Sequence, residues 1–226
     1  MSSDKYDTEN QSELVHPVLL LAEGKSDVSF LMKLLSDRGV GGLHFAFPTD
    51  VTGGFGKTGF GKYLNILPTR TGFERLKAIL ILYDNDSDPA AEFVAARNSV
   101  SANESYSVPT EPIILANAQP DKVRLMFVPM PGVGVSGALE TLLLQSTTDV
   151  AALACVDALV VCAGCGQWAH SHDAKMRLRC LISVKCKGNS DMALTHIWGK
   201  PGNPIDLTHA CFDGLVETVR VVAASA

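Results

Sequence analysis

The sequence predicts an α/β domain, a mostly parallel sheet flanked by helices with a helical C-terminal portion. Three observations carry that prediction. Val18-Leu19-Leu20-Leu21-Ala22 and Ala78-Ile79-Leu80-Ile81-Leu82-Tyr83 are short apolar runs bounded by turn residues, the pattern of fully buried strands. Segments of helical spacing alternate with such runs, which implies crossover connections and parallel pairing. The 226 residues are 46% hydrophobic and 19% charged, enough for one proper core and too apolar for a disordered chain.

Residues 1 to about 15 are polar and partly acidic and read as a flexible tail, with the single domain over 16–226. The tail has neither a basic start nor an apolar run, so no secretion signal is expected. No apolar run approaches the roughly 20 residues that span a bilayer, and a cytoplasmic protein without a membrane partner is the expectation. The first strand covers about 17–22. Ser26 or Asp27 then caps a helix whose apolar positions are Val28, Phe30, Leu31, Leu34 and Leu35, closed by Gly39. Leu43 to Phe47 reads as a second strand. The glycine-rich Thr52 to Gly61 reads as a loop, and Tyr63 to Leu67 as a short helix. Ala78 to Tyr83 is the strongest strand. Pro89 suits a first helical turn, so 89–98 is predicted helical. Residues 99–120 read as loop with a weak strand at Ile113 to Leu115. Val123 to Val128 is another strand, closed by Pro129 and Pro131, and Gly132 to Gly137 is a turn. Helices follow over Ala138 to Gln145, from Asp149 to Gly164, from Asp173 to Lys185, and over Ile205 to Ala226. The core is thus about 16–145 and the helical portion about 146–226.

The formal net charge of -5 gives no global attraction to nucleic acid, so such binding needs a local basic patch or a metal. All six cysteines lie in the second half of the chain, several in apolar surroundings that suit free thiols. Cys162-Ala163-Gly164-Cys165, with His170 and His172 close behind, leaves two readings open. One is a zinc site and the other is cysteines packed at a helix end.

Candidate chemistry concentrates in two acidic turns, each just after a strand. Glu23-Gly24-Lys25-Ser26-Asp27 follows the first run and Asp84-Asn85-Asp86-Ser87-Asp88 follows the third. In an open α/β sheet, ligands bind beyond the carboxyl ends of the strands. Clustered carboxylates there call for a cation, and hard oxygen ligands favour Mg²⁺, Mn²⁺ or Ca²⁺. Asp84, Asp86 and Asp88 alternate and would project to one side of an extended segment. Asp27 and Asp88 also fit plain helix caps. Gly56 to Lys62 matches GxxxxGK, but Tyr63 stands where a phosphate loop needs Ser or Thr. The alternatives are a nucleotide-binding loop, or a loop that sets Lys57 and Lys62 against a phosphate backbone. Lys175, Arg177, Arg179, Lys185 and Lys187 form an acid-free basic stretch. Lys175 and Arg179, at i and i+4, share a helix face, and Lys175 is suited to stabilising developing negative charge.

Leu21-Ala22-Glu23-Gly24-Lys25-Ser26-Asp27 followed later by Ile81-Leu82-Tyr83-Asp84-Asn85-Asp86-Ser87-Asp88 resembles the two acidic motifs of the Toprim domain. Topoisomerases, DnaG-type primases and OLD-type nucleases share that domain. Gly137-Ala138-Leu139-Glu140, after Val128-Pro129, is similar to a third motif of small stand-alone Toprim-like proteins related to the OLD nucleases. The resemblance implies a Rossmann-like core and a nuclease acting on DNA or RNA with Mg²⁺ or Mn²⁺. Glu23 would be ligand or general base, and Asp84 and Asp86 metal ligands, with Asp27 and Asp88 as further carboxylates. Glu140 would serve a second metal. From the basic stretch itself, Lys175, Arg177 and Arg179 either meet the nucleic acid or form a solvated helix face. Topoisomerase or primase activity is not expected, because a nucleophilic tyrosine domain or a partner domain would be needed. No ATPase module is recognisable, so a partner protein would supply that function if it is needed, and a homodimer is compatible with the chain. The rival reading is a non-catalytic metal- or nucleotide-binding regulatory module.

Overall fold

Leucine and isoleucine side chains that alternate between two buried faces make the apolar runs into strands. The computed structural model describes residues 13–48, 56–101, 103–165, 168–186 and 192–226. β1 (Val18–Ala22) lies beside β3 (Ala78–Asp84), in register from Val18 with Ala78 to Ala22 with Leu82. β2 (Leu43–Ala46) flanks β1, β5 (Val123–Met130) flanks β3, and the two-residue β4 (Tyr106–Ser107) completes the order β2-β1-β3-β5-β4. All four pairings are parallel. The result is the α/β, Rossmann-like sheet that the sequence predicts.

The period of two assigns the sides. Val18, Leu20, Leu80 and Leu82 enter one core, shared with α1 (Lys25–Asp37), α4 (Leu139–Gln145), α6 (His170–Lys185) and α7 (Asp213–Ser225). Leu19, Leu21, Ile79 and Ile81 enter the other, under α2 (Lys57–Ile66) and α3 (Pro89–Val100). α5 (Val150–Cys162) buries Val156 and Val160 and leaves Val150, Leu159 and Val161 exposed. Among the described residues no helix is long and apolar enough to cross a membrane.

Several boundaries differ from expectation for identifiable reasons. α2 begins inside the glycine-rich stretch, because burial of Phe60, Tyr63 and Leu64 overrides the poor helix propensity of glycine. Residues 52–55, and the tail up to residue 12, lie outside the described residues. α6 begins at His170, so Asp173 sits in its first turn instead of capping it, and α7 begins only at Asp213. Residues 113–115 form no strand, although Ile113 N–H and Ala116 N–H reach the carbonyls of Phe127 and Leu125. Those two bonds show that the backbone N–H and C=O groups of the odd-numbered residues of β5 face away from β3. Pro129 therefore lies in the strand without removing a ladder bond to β3, and the strand continues to Met130.

His44 is 2% exposed, and its Nε2 accepts the N–H groups of Val15 and His16, both at 2.8 Å. It fastens the chain entering β1 to β2. Burial, then the neighbouring His16, pushes its pKa down from the ordinary 6.5 to about 4. A base lowered by folding contributes stability above its unfolded pKa and loses it as pH falls through the folded one. His44→Leu is expected to lower Tm by roughly 3–6 °C at pH 7 and by clearly less at pH 4.5. Equal losses at both pH values in thermal denaturation would contradict this role.

Candidate functional site

β1 and β3 are neighbours, yet α1 leaves β1 onto one face of the sheet and α3 leaves β3 onto the other. Diverging connections of this kind open a crevice at the carboxyl ends of the two strands. Glu23 is the first residue beyond β1 and Asp84 the last of β3, so both acidic turns face that crevice, as expected. Glu23 Oε1 accepts the N–H of Asp84 at 2.8 Å. Asp84 Oδ1 accepts the N–H of Leu139, the first residue of α4, at 2.9 Å. That bond brings Glu140, the next residue, to the same group. Asp27 is the third residue of α1, and its Oδ2 accepts the N–H of Gly24 at 2.9 Å. The helix starts at Lys25, so neither Ser26 nor Asp27 initiates it. A cavity of about 10 Å³ lies among Glu23, Asp27 and Asp84, with Phe30, Tyr83 and Leu139 on its apolar side. Its size suits about one water-sized occupant.

All four of these carboxyls are raised, chiefly by burial. Burial pushes Glu23 above the ordinary carboxylate value, against the pull of the Asp84 N–H and Lys57. Burial, then Glu140 and Glu23, raises Asp27 to about 7. Asp84 is pushed well up by burial and by Glu23, Asp27 and Glu140. Burial also raises Glu140, opposed by Lys175 and Arg179. Desolvation and like charge act in the same direction here, the condition a positive ligand would relieve.

The second acidic turn does not stay extended, and Asp84, Asp86 and Asp88 do not share a side. Asn85, 1% exposed, donates its Nδ2 to the carbonyls of Gly132 and Val135 at 2.7 and 2.8 Å. Asp86 then adopts φ 44°, and its carbonyl accepts the N–H of Gly137 at 2.7 Å. This turn sends the Asp86 carboxylate towards Lys57, whose Nζ lies 2.8 Å from Asp86 Oδ2, 2.6 Å from Glu92 Oε2 and 3.9 Å from Glu23 Oε1. Burial pushes Asp86 up, but the hydrogen bond and charge of Lys57 outweigh it and hold the carboxyl below its ordinary value. Asp88 caps α3, accepting the N–H of Ala91 at 3.1 Å. Gly56 opens α2 at φ 60°, a backbone angle that favours glycine, beside Glu23 Oε2.

Lys57 therefore enters the acidic crevice and is not displayed to a phosphate backbone. Lys62 lies about 140° further round α2 and is exposed, so the two lysines do not share a face. The GxxxxGK spacing falls largely within a helix, which removes the loop a nucleotide would need. Lys175 reaches the mouth of the crevice, its Nζ 3.8 Å from Asp84 Oδ2. Arg179 is exposed, and its charge acts on Glu140. Arg177 pairs with Asp173 at 2.6 Å and with Asp157 of α5, so it does not join Lys175 as expected. Lys187 and the His170 side chain lie outside the described residues. Cys162 and Cys165 are free thiols, exposed and half-buried.

Glu92 and Asn85 went unrecognised in the sequence. An acid in the first turn of the helix after the second motif was the signal for Glu92, whereas nothing local distinguishes Asn85 from its acidic neighbours. Among the described residues no three His, Cys, Asp or Glu side chains already converge as a cation cage. The reason is visible in the bonds above. Glu23, Asp27 and Asp84 each hold a backbone N–H, and Lys57 holds Asp86 and Glu92.

The model of the family described as "Protein of unknown function (DUF3226)" matches residues 17–198, and the chain belongs to that family. No curated protein and no solved structure matches it.

Proposed function

We propose that this DUF3226 member is a divalent-metal-dependent phosphodiesterase that cleaves DNA or RNA at a Toprim-like site. The observation that carries the reading is the joining of Glu23 and Asp84 at the ends of adjacent parallel strands, with Asp27 on the same small cavity and Glu140 next to Leu139, whose N–H Asp84 accepts. Four carboxylates raised chiefly by burial form a hard oxygen donor set that fits Mg²⁺ or Mn²⁺, after the short side-chain movements needed to turn them inward. Glu23, Asp84, Asp27 and Glu140 would hold the ion. When bound, it would lower the pKa of a water and offset phosphate charge.

The chain's own groups have separable tasks. The Asp84 N–H fixes Glu23 at Oε1, which leaves Oε2 to take the proton of the attacking water. A carboxyl raised by burial is a better base near neutral pH than an ordinary one. Lys175, at the mouth beside Asp84, would meet the charge that develops on the phosphate. Arg179 would extend that positive edge along α6.

Plasmid, single-stranded DNA and tRNA are the substrates for the test. With Mn²⁺ or Mg²⁺ the full chain cleaves at least one of them, and EDTA or Glu23→Gln stops it. Lys175→Ala slows cleavage by about 100-fold while Mn²⁺ affinity changes little. A second reading, a non-catalytic metal-binding module, is favoured by the Lys57 pairs, which already neutralise part of the crevice. Mn²⁺ binding that disappears in Glu23→Gln, with no cleavage of any substrate, would select that reading.

A further inference from the structure

Lys57 has the surroundings of a bound cation. Its side chain is 13% exposed, and its ammonium gathers carboxylates from three separate segments. These are Asp86 after β3, Glu92 on α3 and Glu23 after β1, at 2.8, 2.6 and 3.9 Å. The other half of the crevice is different. Asp84 has Lys175 only at 3.8 Å, with a lysine side chain that is 42% exposed. Among the described residues Asp27 and Glu140 make no ion pair. The acidic crevice thus divides into a compartment closely paired by Lys57 and one around Asp84 whose cation, Lys175, stands further off and is more exposed. Glu23 touches both, because its Oε1 faces Lys57 and also accepts the Asp84 N–H.

Two-metal sites place two cations about 3.5–4 Å apart, between the attacking and leaving oxygens. We infer that the Lys57 ammonium takes the place of the second cation, so that the crevice binds one divalent ion per chain, on the Glu23–Asp84 side. The inference rests on the metal-binding reading given above. A lysine is a compact point charge carrying three donors, and here two carboxylate oxygens within hydrogen-bond range accept from it. α2 starts beside Glu23 from Gly56, whose φ of 60° favours glycine, and so carries Lys57 into the crevice. Asp86, a metal ligand in the resemblance to the Toprim motifs, would then act as the anchor of Lys57.

Mn²⁺ titration of the full chain, followed by the electron paramagnetic resonance of free Mn²⁺, tests this. The wild type is expected to bind one ion, Lys57→Arg one, and Lys57→Met two. Thermal denaturation gives a second readout. In EDTA, Lys57→Met leaves Asp86 and Glu92 facing each other without a counter-charge and is expected to melt about 5–10 °C lower than the wild type. Mn²⁺ should restore most of that difference. Two ions on the wild type, or one ion on Lys57→Met, would overturn the inference while the metal reading stands. No Mn²⁺ binding by the wild type would remove both. Should Lys57→Met fail to fold even with Mn²⁺, Lys57→Gln, neutral but still a donor, takes its place under the same criteria.

Discussion

Asp84→Asn is expected to weaken Mn²⁺ binding by more than about 100-fold, beyond the effect usual for outer-shell partners, and to abolish the cleavage that depends on it. The substitution keeps the shape and an acceptor for the Leu139 N–H, so β3 and α4 stay joined. It removes the charge that burial, Glu23, Asp27 and Glu140 all oppose. The metal-free variant is therefore expected to be more stable than the metal-free wild type, the trade-off of sites kept strained for function. The pH dependence has a definite sign. A carboxyl raised by folding contributes stability that is complete below its unfolded pKa and is lost as pH rises through the folded value. Asp84 and Asp27 are both raised, and Asp27 marks the window at about 7. In EDTA the wild-type Tm should fall as pH rises from about 4 to beyond 7, and Asp84→Asn should flatten that fall. Mn²⁺ affinity should climb over the same window, because the ion competes with those protons. Melting curves at pH 5 to 9, with and without Mn²⁺, measure both trends. A metal-free Asp84→Asn that melts below the wild type would contradict the repulsion on which the site is built.

The strand ends were legible in the sequence because an apolar run and a following turn are local signals. Glu23 and Asp84 could be placed at one crevice from a parallel sheet alone. The partition of the crevice was not legible, because it depends on two events that local pattern does not encode. One is the reversal at Asn85 and Asp86, where buried hydrogen bonds to Gly132, Val135 and Gly137 override the alternation that an extended segment would impose. The other is the glycine-rich helix. Its propensity argues for a loop, and only the burial of Phe60, Tyr63 and Leu64 against the sheet makes it helical. Lys57 follows from that second event, as a lysine on a mobile loop would not meet three carboxylates. The same limit applies to β4 and Pro129. A two-residue edge strand has too few residues to show a period, and the harmlessness of a strand proline depends on which neighbour its missing N–H faces.

Gly61→Ala should have the largest effect on stability of any single methyl group added near the site. A Cβ at Gly61 would lie 2.0 Å from the Ser99 carbonyl oxygen and 3.1 Å from its carbon. The obstacle is the backbone of α3, which cannot rotate aside as a flexible side chain can. α2 and α3 must separate, and overpacking of this kind costs about 3 kcal/mol or more, which corresponds to roughly 6–12 °C in Tm for a domain of this size. Gly41→Ala is the control, since a Cβ there meets nothing within 4 Å, and its effect should stay within about 0.5 kcal/mol. The consequence extends to chemistry through Lys57, which lies four residues before Gly61 on α2, while its partner Glu92 lies on α3. Moving the helices apart lengthens the 2.6 Å pair between them and loosens the ammonium from Asp86. Gly61→Ala should therefore shift Mn²⁺ binding in the direction of Lys57→Met, with a second ion becoming measurable, although no ligand has been touched. Gly61→Ala with a wild-type Tm would show that the helices yield without cost. A lowered Tm with a strictly single Mn²⁺ would show that Lys57 keeps its carboxylates independently of the contact between α2 and α3.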